Sequence, residues 1–341
     1  MVLPLILPEQ RGTIEDALRA IFAEHSLPLF RLMEYQMGWL DEHSVPIDHS
    51  VEYPRQYSAL CFAACQAVGG QPEAALSMAA ALELVDNFFQ VHIDVQEGSQ
   101  ERYNRPTVWW VWGPGQAINV GDAFHALARL SIMASAERGM PLDTALKAVQ
   151  MLDVACLRVC EGIHVDLVYQ ERVDVTVDSY LRMVREKVGA LMGCALELGV
   201  LSASASPETA RGLREFGEDI AVASRIQEDA QVLWGEATIG ETMGSGLLNK
   251  KKTLPVAYVF EEGSISQKRA LGNIYFKRVL EASDLVKIVE ILDTADARTY
   301  VHNTMKRLLN RALDRLNGLD ISPGGRSDLE RIAQHLTHQD P

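Results

Sequence analysis

Apolar residues recur at spacings of three and four from one end of this chain to the other, and that pattern restricts the fold more than anything else in the sequence. Several stretches, 72–91 and 187–201 among them, are apolar around most of a helix circumference, as helices at the centre of a bundle are. Period-two alternation appears only in VDVTVDSY near residue 175, where Thr176 or Asp178 can cap a following helix, so 173–180 reads as a loop and a helix start. The expected fold class is therefore all-α, an antiparallel bundle of roughly ten to twelve helices, and bundles of this kind place ligand sites between facing helices.

The periodicity predicts helices over 13–39, 54–68, 72–96, 114–138, 142–168, 178–201, 207–233, 253–260, 265–280, 283–317 with a break, and 325–337. Gly69, Gly70 and Pro72, the run SASASP at 202–207 and SPGG at 322–325 punctuate them, and none is long enough for an interdomain linker. A length of 341 residues suits one large domain, and no internal repeat divides it. The formal charge of −14 argues against nucleic acid as the main partner, since phosphate contacts need clustered Lys and Arg. The opening MVLPLILPEQ is too short for a signal peptide and lacks a basic start, and no apolar run nears the roughly 20 residues that span a bilayer, so the expected location is the cytoplasm. Cys61, Cys65, Cys156, Cys160 and Cys194 read as small buried residues, and His92, His125 and His164, without metal spacing, as structural.

Two acidic pairs stand out within these helices. Asp94 and Glu97, at i and i+3 near the end of one helix, share a face and can approach one hard cation such as Mg2+, which takes oxygen ligands and bridges carboxylates to phosphate. Glu228 and Asp229 lie inside GEDIAVASRIQEDAQVLWGE, an apolar setting in which acids are costly unless paired, metal-bound or turned to water.

Five ordered segments around these pairs resemble the trans-polyprenyl diphosphate synthases of the all-helical isoprenoid synthase family. HIDVQE followed by RYNRPT is similar to that family's HDDxxD and RRGxPT, CEGIHVDL (160–167) to CEGQxLDL, and YLRMVREKVGAL (180–191) to YxxMIxxKTxAL. Residues 214–235 resemble the second aspartate-rich segment, and KKKTLPVAY (250–258) the basic KKTLPVxY. The resemblance implies one isoprenoid-synthase-like domain over 1–341 with a central cavity, 1–27 as an N-terminal extension and 318–341 as a C-terminal tail helix. It also implies two or three Mg2+ ions held by Asp94, Glu97, Glu228 and Asp229 against an allylic prenyl diphosphate, with Arg102, Lys187 and Lys252 on the diphosphate, and a homodimer. Charge developing on the leaving diphosphate would be met by metal and Lys or Arg, and the carbocation sheltered by apolar walls.

The departures from the family pattern fall unevenly. Ile93 replaces an aspartate of the first cluster, Glu228 one of the second, and Arg225 stands where the family has glutamine. Glu241 replaces a usual lysine and Gly246 an aspartate. The isopentenyl diphosphate grip is hit harder: YPRQYS keeps only Arg55 of a basic GKRxRP run, Tyr103 replaces the second arginine of RRGxPT, and Ile163 a glutamine. Each lost charged hydrogen bond removes about 1.5–3 kcal/mol. The resemblance also implies that Phe88 and Phe89, about one helical turn before the acids, face the growing chain, where two rings would floor the cavity and favour about ten to fifteen carbons. Trp109, Trp110 and Trp112 read as core aromatics.

The expected function is thus ionisation of a short allylic diphosphate, followed by cyclisation or by transfer to an acceptor other than isopentenyl diphosphate. A non-catalytic subunit partnering an active synthase, and ordinary chain elongation, are the alternatives.

Overall fold

In the computed structural model, residues 8–47, 53–235 and 249–337 are described. They are helical from end to end, as the periodicity predicts. The helices are α1 (Pro8–Ala23), α2 (Pro28–Gln36), α3 (Gln56–Ala67), α4 (Pro72–Glu97), α5 (Val108–Trp112), α6 (Pro114–Glu137), α7 (Leu142–Gln170) and α8 (Val177–Val184). After a π-helical turn at Arg185–Gly189 come α9 (Ala190–Ser202), α10 (Pro207–Trp234), α11 (Leu254–Glu262), α12 (Ile265–Tyr275), α13 (Ala282–Thr294), α14 (Ala297–Leu316) and α15 (Pro323–Leu336). The helix expected over 13–39 is two, because Pro28 cannot continue a helix and instead opens α2. The break expected within 283–317 falls at Asp296, in the left-handed region between α13 and α14. Thr176 caps α8, accepting from the Ser179 amide at 3.2 Å, so the alternating stretch is a loop and helix start.

The chain divides into two compact units. The first comprises Met1–Val154, Cys194–Arg214 and Leu319–Ile332. Its centre is α4, which packs against α3 and α6, with α1 and α5 alongside. Ala75, Ala79, Ala80 and Ala81 are fully buried on α4, and such small residues let neighbouring backbones close in while Leu82, Leu84 and Val85 fill the core.

The helix stops at Gly98, which takes φ 67°, and the Ser99 amide closes the end on the Asp94 carbonyl at 3.0 Å. A two-residue hairpin follows, β1 (Glu101–Arg102) against β2 (Arg105–Pro106). Its turn is Tyr103–Asn104, both with positive φ.

The second unit comprises Ala155–Gly193, Glu215–Gly318 and Ala333–Pro341. One core joins Tyr180, Met183 and Val184 of α8 to Ile226 of α10, Leu254 of α11 and Val301, Met305 and Leu308 of α14. A second gathers Leu271 of α12 with Ile288 and Leu292 of α13. Asp219, fully buried, is held by Arg185, Arg311 and Arg315. No helix among the described residues is long and apolar enough to cross a membrane.

Two sequence expectations need correction. Cys160 is exposed while the other four cysteines are buried. Trp110 is 53% exposed, whereas Trp109 donates to the Ser99 carbonyl at 2.7 Å and Trp112 packs edge-on to Tyr35.

Candidate active site

In the first unit the acidic segment ends α4, and its length puts Asp94 where the hairpin folds back. Asp94 is 2% exposed and carries Arg102 of β1 as a fork: Nη2 lies 2.6 Å from Oδ1, and Nε 3.0 and 3.2 Å from the two oxygens. Burial raises the Asp94 carboxyl above its ordinary value, against the pull of Arg102 and with a push from Glu97, which is half-buried one turn on. A narrow cleft here is lined by Asp94, Arg102, Tyr35, Tyr53, Tyr103 and Arg105. Arg105 acts as a strut, donating to the Tyr35 and Leu40 carbonyls at 3.0 and 2.7 Å and to the Tyr53 hydroxyl at 2.6 Å.

Arg55 does not face this cleft as a free cation. It is 4% exposed, and its Nε donates to Glu15 of α1 at 2.7 Å. Above it on α4 sits Glu83, fully buried, accepting from the Ser58 amide at 2.8 Å; burial pushes its carboxyl up to about 7 despite Arg55. Burial likewise lifts Asp86 to about 6, and Gln90 donates to it. Tyr103, in the place of a second arginine, meets Tyr53 edge-to-face at 5.3 Å. Phe88 and Phe89 touch at 4.5 Å, and Phe88 stacks on His125 at 4.7 Å; both rings are buried. His92 Nε2 is 3.2 Å from the Ile118 carbonyl, a helix-to-helix tie.

In the second unit α10 presents Arg225, Glu228 and Asp229. Asp229 is 6% exposed; Tyr180 of α8 donates to its Oδ2 at 2.9 Å and Arg225 Nη2 lies 2.8 Å from its Oδ1. Glu228 points outward, 58% exposed, 3.7 Å from Arg225. Across from α10, Lys187 sits in the π-helical turn and donates to Asp166 of α7 at 2.7 Å. Lys252, 2% exposed, donates to the Gln170 and Lys250 carbonyls at 3.1 and 3.0 Å and lies 4.4 Å over the Tyr275 ring. Burial, with Lys250 beside it, lowers its ammonium to about 8. Asp166, Tyr180, Lys187, Arg225, Asp229 and Lys252 line one cleft, which Glu228 does not join. Ile163 is buried on α7. Glu241 and Gly246 lie outside the described residues.

Asp94 and Asp229 as arranged do not fit Mg2+. Both oxygens of Asp94 are taken by Arg102, those of Asp229 are shared between Arg225 and Tyr180, and a metal would have to displace a guanidinium at each. Among the described residues no group of three or more His, Cys, Asp or Glu is placed to hold a metal ion. Sequence reasoning missed Tyr180 and Asp166, although both lie inside the quoted motifs. It also missed Glu15, whose role nothing in the surrounding residues signals.

The family model for polyprenyl synthetase matches residues 55–292, well over half of the chain. The chain belongs to the polyprenyl synthetase family. It is 34% identical over 270 residues to a geranylgeranyl diphosphate synthase of Mycobacterium tuberculosis, covering 79% of this chain and 75% of that protein. It is 28% identical over 310 residues to a (2E,6E)-farnesyl diphosphate synthase of Mycobacterium bovis, covering 89% and 84%. Among solved structures, a polyprenyl synthetase from Streptomyces coelicolor A3(2) aligns with a TM-score of 0.86 at 28% identity, covering 97% of this chain and 98% of that one. A geranylgeranyl pyrophosphate synthetase from Pyrococcus horikoshii Ot3 aligns at 0.84 and 25%, covering 97% of each. This polyprenyl synthetase family member therefore keeps the all-α isoprenoid synthase fold along nearly its whole length.

Proposed function

We propose that this chain takes a short allylic prenyl diphosphate, of about ten to fifteen carbons if Phe88 and Phe89 floor its cavity, and moves the prenyl group without gripping isopentenyl diphosphate in the usual way. The observation that carries this is the Arg55–Glu15 pair. The one basic residue left from the family's isopentenyl diphosphate run is sealed under a carboxylate at 2.7 Å. A buried cation already neutralised in this way offers a second diphosphate nothing, and freeing it would leave Glu15 and Arg55 each short of a partner.

Lys187, Arg225 and Lys252, by contrast, converge on one cleft of the second unit. In this reading they receive the leaving diphosphate, Arg102 stands beside Asp94, and apolar side chains exclude water while positive charge passes through the prenyl carbons. Alignment over 97% of the chain supports taking residues 1–341 as one isoprenoid-synthase-like domain. A homodimer and a cytoplasmic location belong to the same proposal.

Two other readings each have an observation behind them. The relatives named as geranylgeranyl and farnesyl diphosphate synthases favour ordinary elongation. The arginine already on each of Asp94 and Asp229 favours a non-catalytic partner of an active synthase. Incubation with geranyl and farnesyl diphosphates, with and without labelled isopentenyl diphosphate, separates the three. Diphosphate release without label in the product is the expected result. Incorporated label makes the chain an elongating synthase. No release from either donor overturns both, and a stable complex with an active synthase then identifies the partner role.

A further inference from the structure

The cleft between α7, α8, α10 and the segment before α11 has a charge balance opposite to that of the chain. Of the residues lining it, Lys187, Arg225, Lys251 and Lys252 are cations and Asp166 and Asp229 anions, a formal balance of four minus two, or +2. The whole chain carries −14. Two of the cations are matched: Lys187 by Asp166 at 2.7 Å and Arg225 by Asp229 at 2.8 Å. Lys252 is different. It is 2% exposed, and its hydrogen bonds among the described residues go to the neutral carbonyls of Gln170 and Lys250. Glu171 and Asp166 act on it electrostatically but neither is hydrogen-bonded to it, and an ammonium buried on carbonyls and a ring face is costly unless an anion completes its surroundings.

Arg225 decides how such an anion is held. Its Nη2 lies on Asp229, and a guanidinium has five N–H donors in a planar fork, so the rest can take phosphate oxygens while that contact stays. A side chain bridging a buried carboxylate to a phosphate does the job a divalent cation does when it links the two. A metal at this carboxylate would have to compete with the Tyr180 hydroxyl on one oxygen and the Arg225 guanidinium on the other.

We propose that this cleft binds a diphosphate group without a divalent metal, the Arg225 guanidinium bridging Asp229 to the ligand and Lys187 and Lys252 completing the cation set. The inference rests on the reading of the chain as a handler of prenyl diphosphates, and it replaces the family's metal at this segment with a side chain. About 20 Å3 is free in the cleft as it stands, room for about one water. Lys187, partly exposed, swings outward to admit the ligand while Arg225 stays on Asp229.

Calorimetric titration of the full chain with inorganic pyrophosphate, in EDTA and again in excess Mg2+, tests this. Pyrophosphate is expected to bind in EDTA, with affinity within about threefold of that in Mg2+. Arg225→Gln is expected to weaken binding in EDTA by about tenfold or more, the loss of a charged hydrogen-bond donor, and to make binding Mg2+-dependent. Arg225→Lys, which keeps the charge, retains most of the EDTA binding and guards against a folding defect, which thermal melts of both variants report directly. Binding only in Mg2+, no binding in either condition, or an Arg225→Gln variant that binds as the parent does, overturns the proposal. Metal-free pyrophosphate binding with no turnover of any allylic diphosphate would sink the proposed function and leave this inference standing.

Discussion

A β-carbon built on Gly162 would lie 2.3 Å from the backbone nitrogen of Lys187 and 2.6 Å from its α-carbon. Nothing flexible stands in that contact, because the atoms it would meet are backbone of the π-helical turn that carries Lys187. Helix α7 can come this close to the turn only through glycine.

Gly162→Ala is therefore expected to shift the turn and with it the Lys187 ammonium away from Asp166. Overpacking of this kind costs about 1–3 kcal/mol. Chemical denaturation should show that loss, and pyrophosphate affinity should fall by about fivefold or more as Lys187 leaves its place. Gly162→Ser, with the same β-carbon, should behave alike.

Arg55→Ala is expected to destabilise by about 3–5 kcal/mol, because it removes one member of a buried pair and leaves Glu15 and Glu83 without their cation. The double change with Glu15→Ala should recover part of the loss. Prenyl donor affinity should stay unchanged in both, which denaturation and donor titrations would check together.

The Glu83 carboxyl, lifted by burial from 4.5 to about 7, gives the fold a definite pH dependence. Between those two values the folded state holds a proton that the unfolded state releases, so Glu83's contribution to stability declines as pH rises through the window and levels off above 7. At 1.36 kcal/mol per pH unit the whole effect is about 3 kcal/mol at most. Glu83→Gln should therefore raise the melting temperature at pH 8 and change it little near pH 4.5, with Arg55 and Asp86 still facing the site. An equal rise at both pH values would contradict this.

Phe89→Ala is expected to open space beside Phe88 and cost about 3–5 kcal/mol. If the two rings set chain length, the variant should also process a twenty-carbon donor better than the parent does. Competition between farnesyl and geranylgeranyl diphosphates would measure it.

Helix positions were readable because each apolar face repeats along its own segment and does not depend on distant residues. A cap at Thr176 or Asp178 was readable for the same reason, because capping is local chemistry, and the structure uses Thr176. What escaped reading was pairing over distance. That Asp94 would carry Arg102 follows from a hairpin turning through two positive-φ residues, and that Asp229 would carry Tyr180 follows from the packing of α8 on α10. Arg225 could be seen as a replacement for glutamine, yet only its position one turn before Asp229, with its Nη2 at 2.8 Å, turns it from an odd residue into a neutralised site.

Glu15 lies upstream of residue 55, where the family match begins. The counter-ion that seals Arg55 thus comes from outside the segment that defines the family. A fragment trimmed to 55–292 would carry a sequestered guanidinium stripped of its salt partner, so the first helix supplies a charge that the buried Arg55 needs.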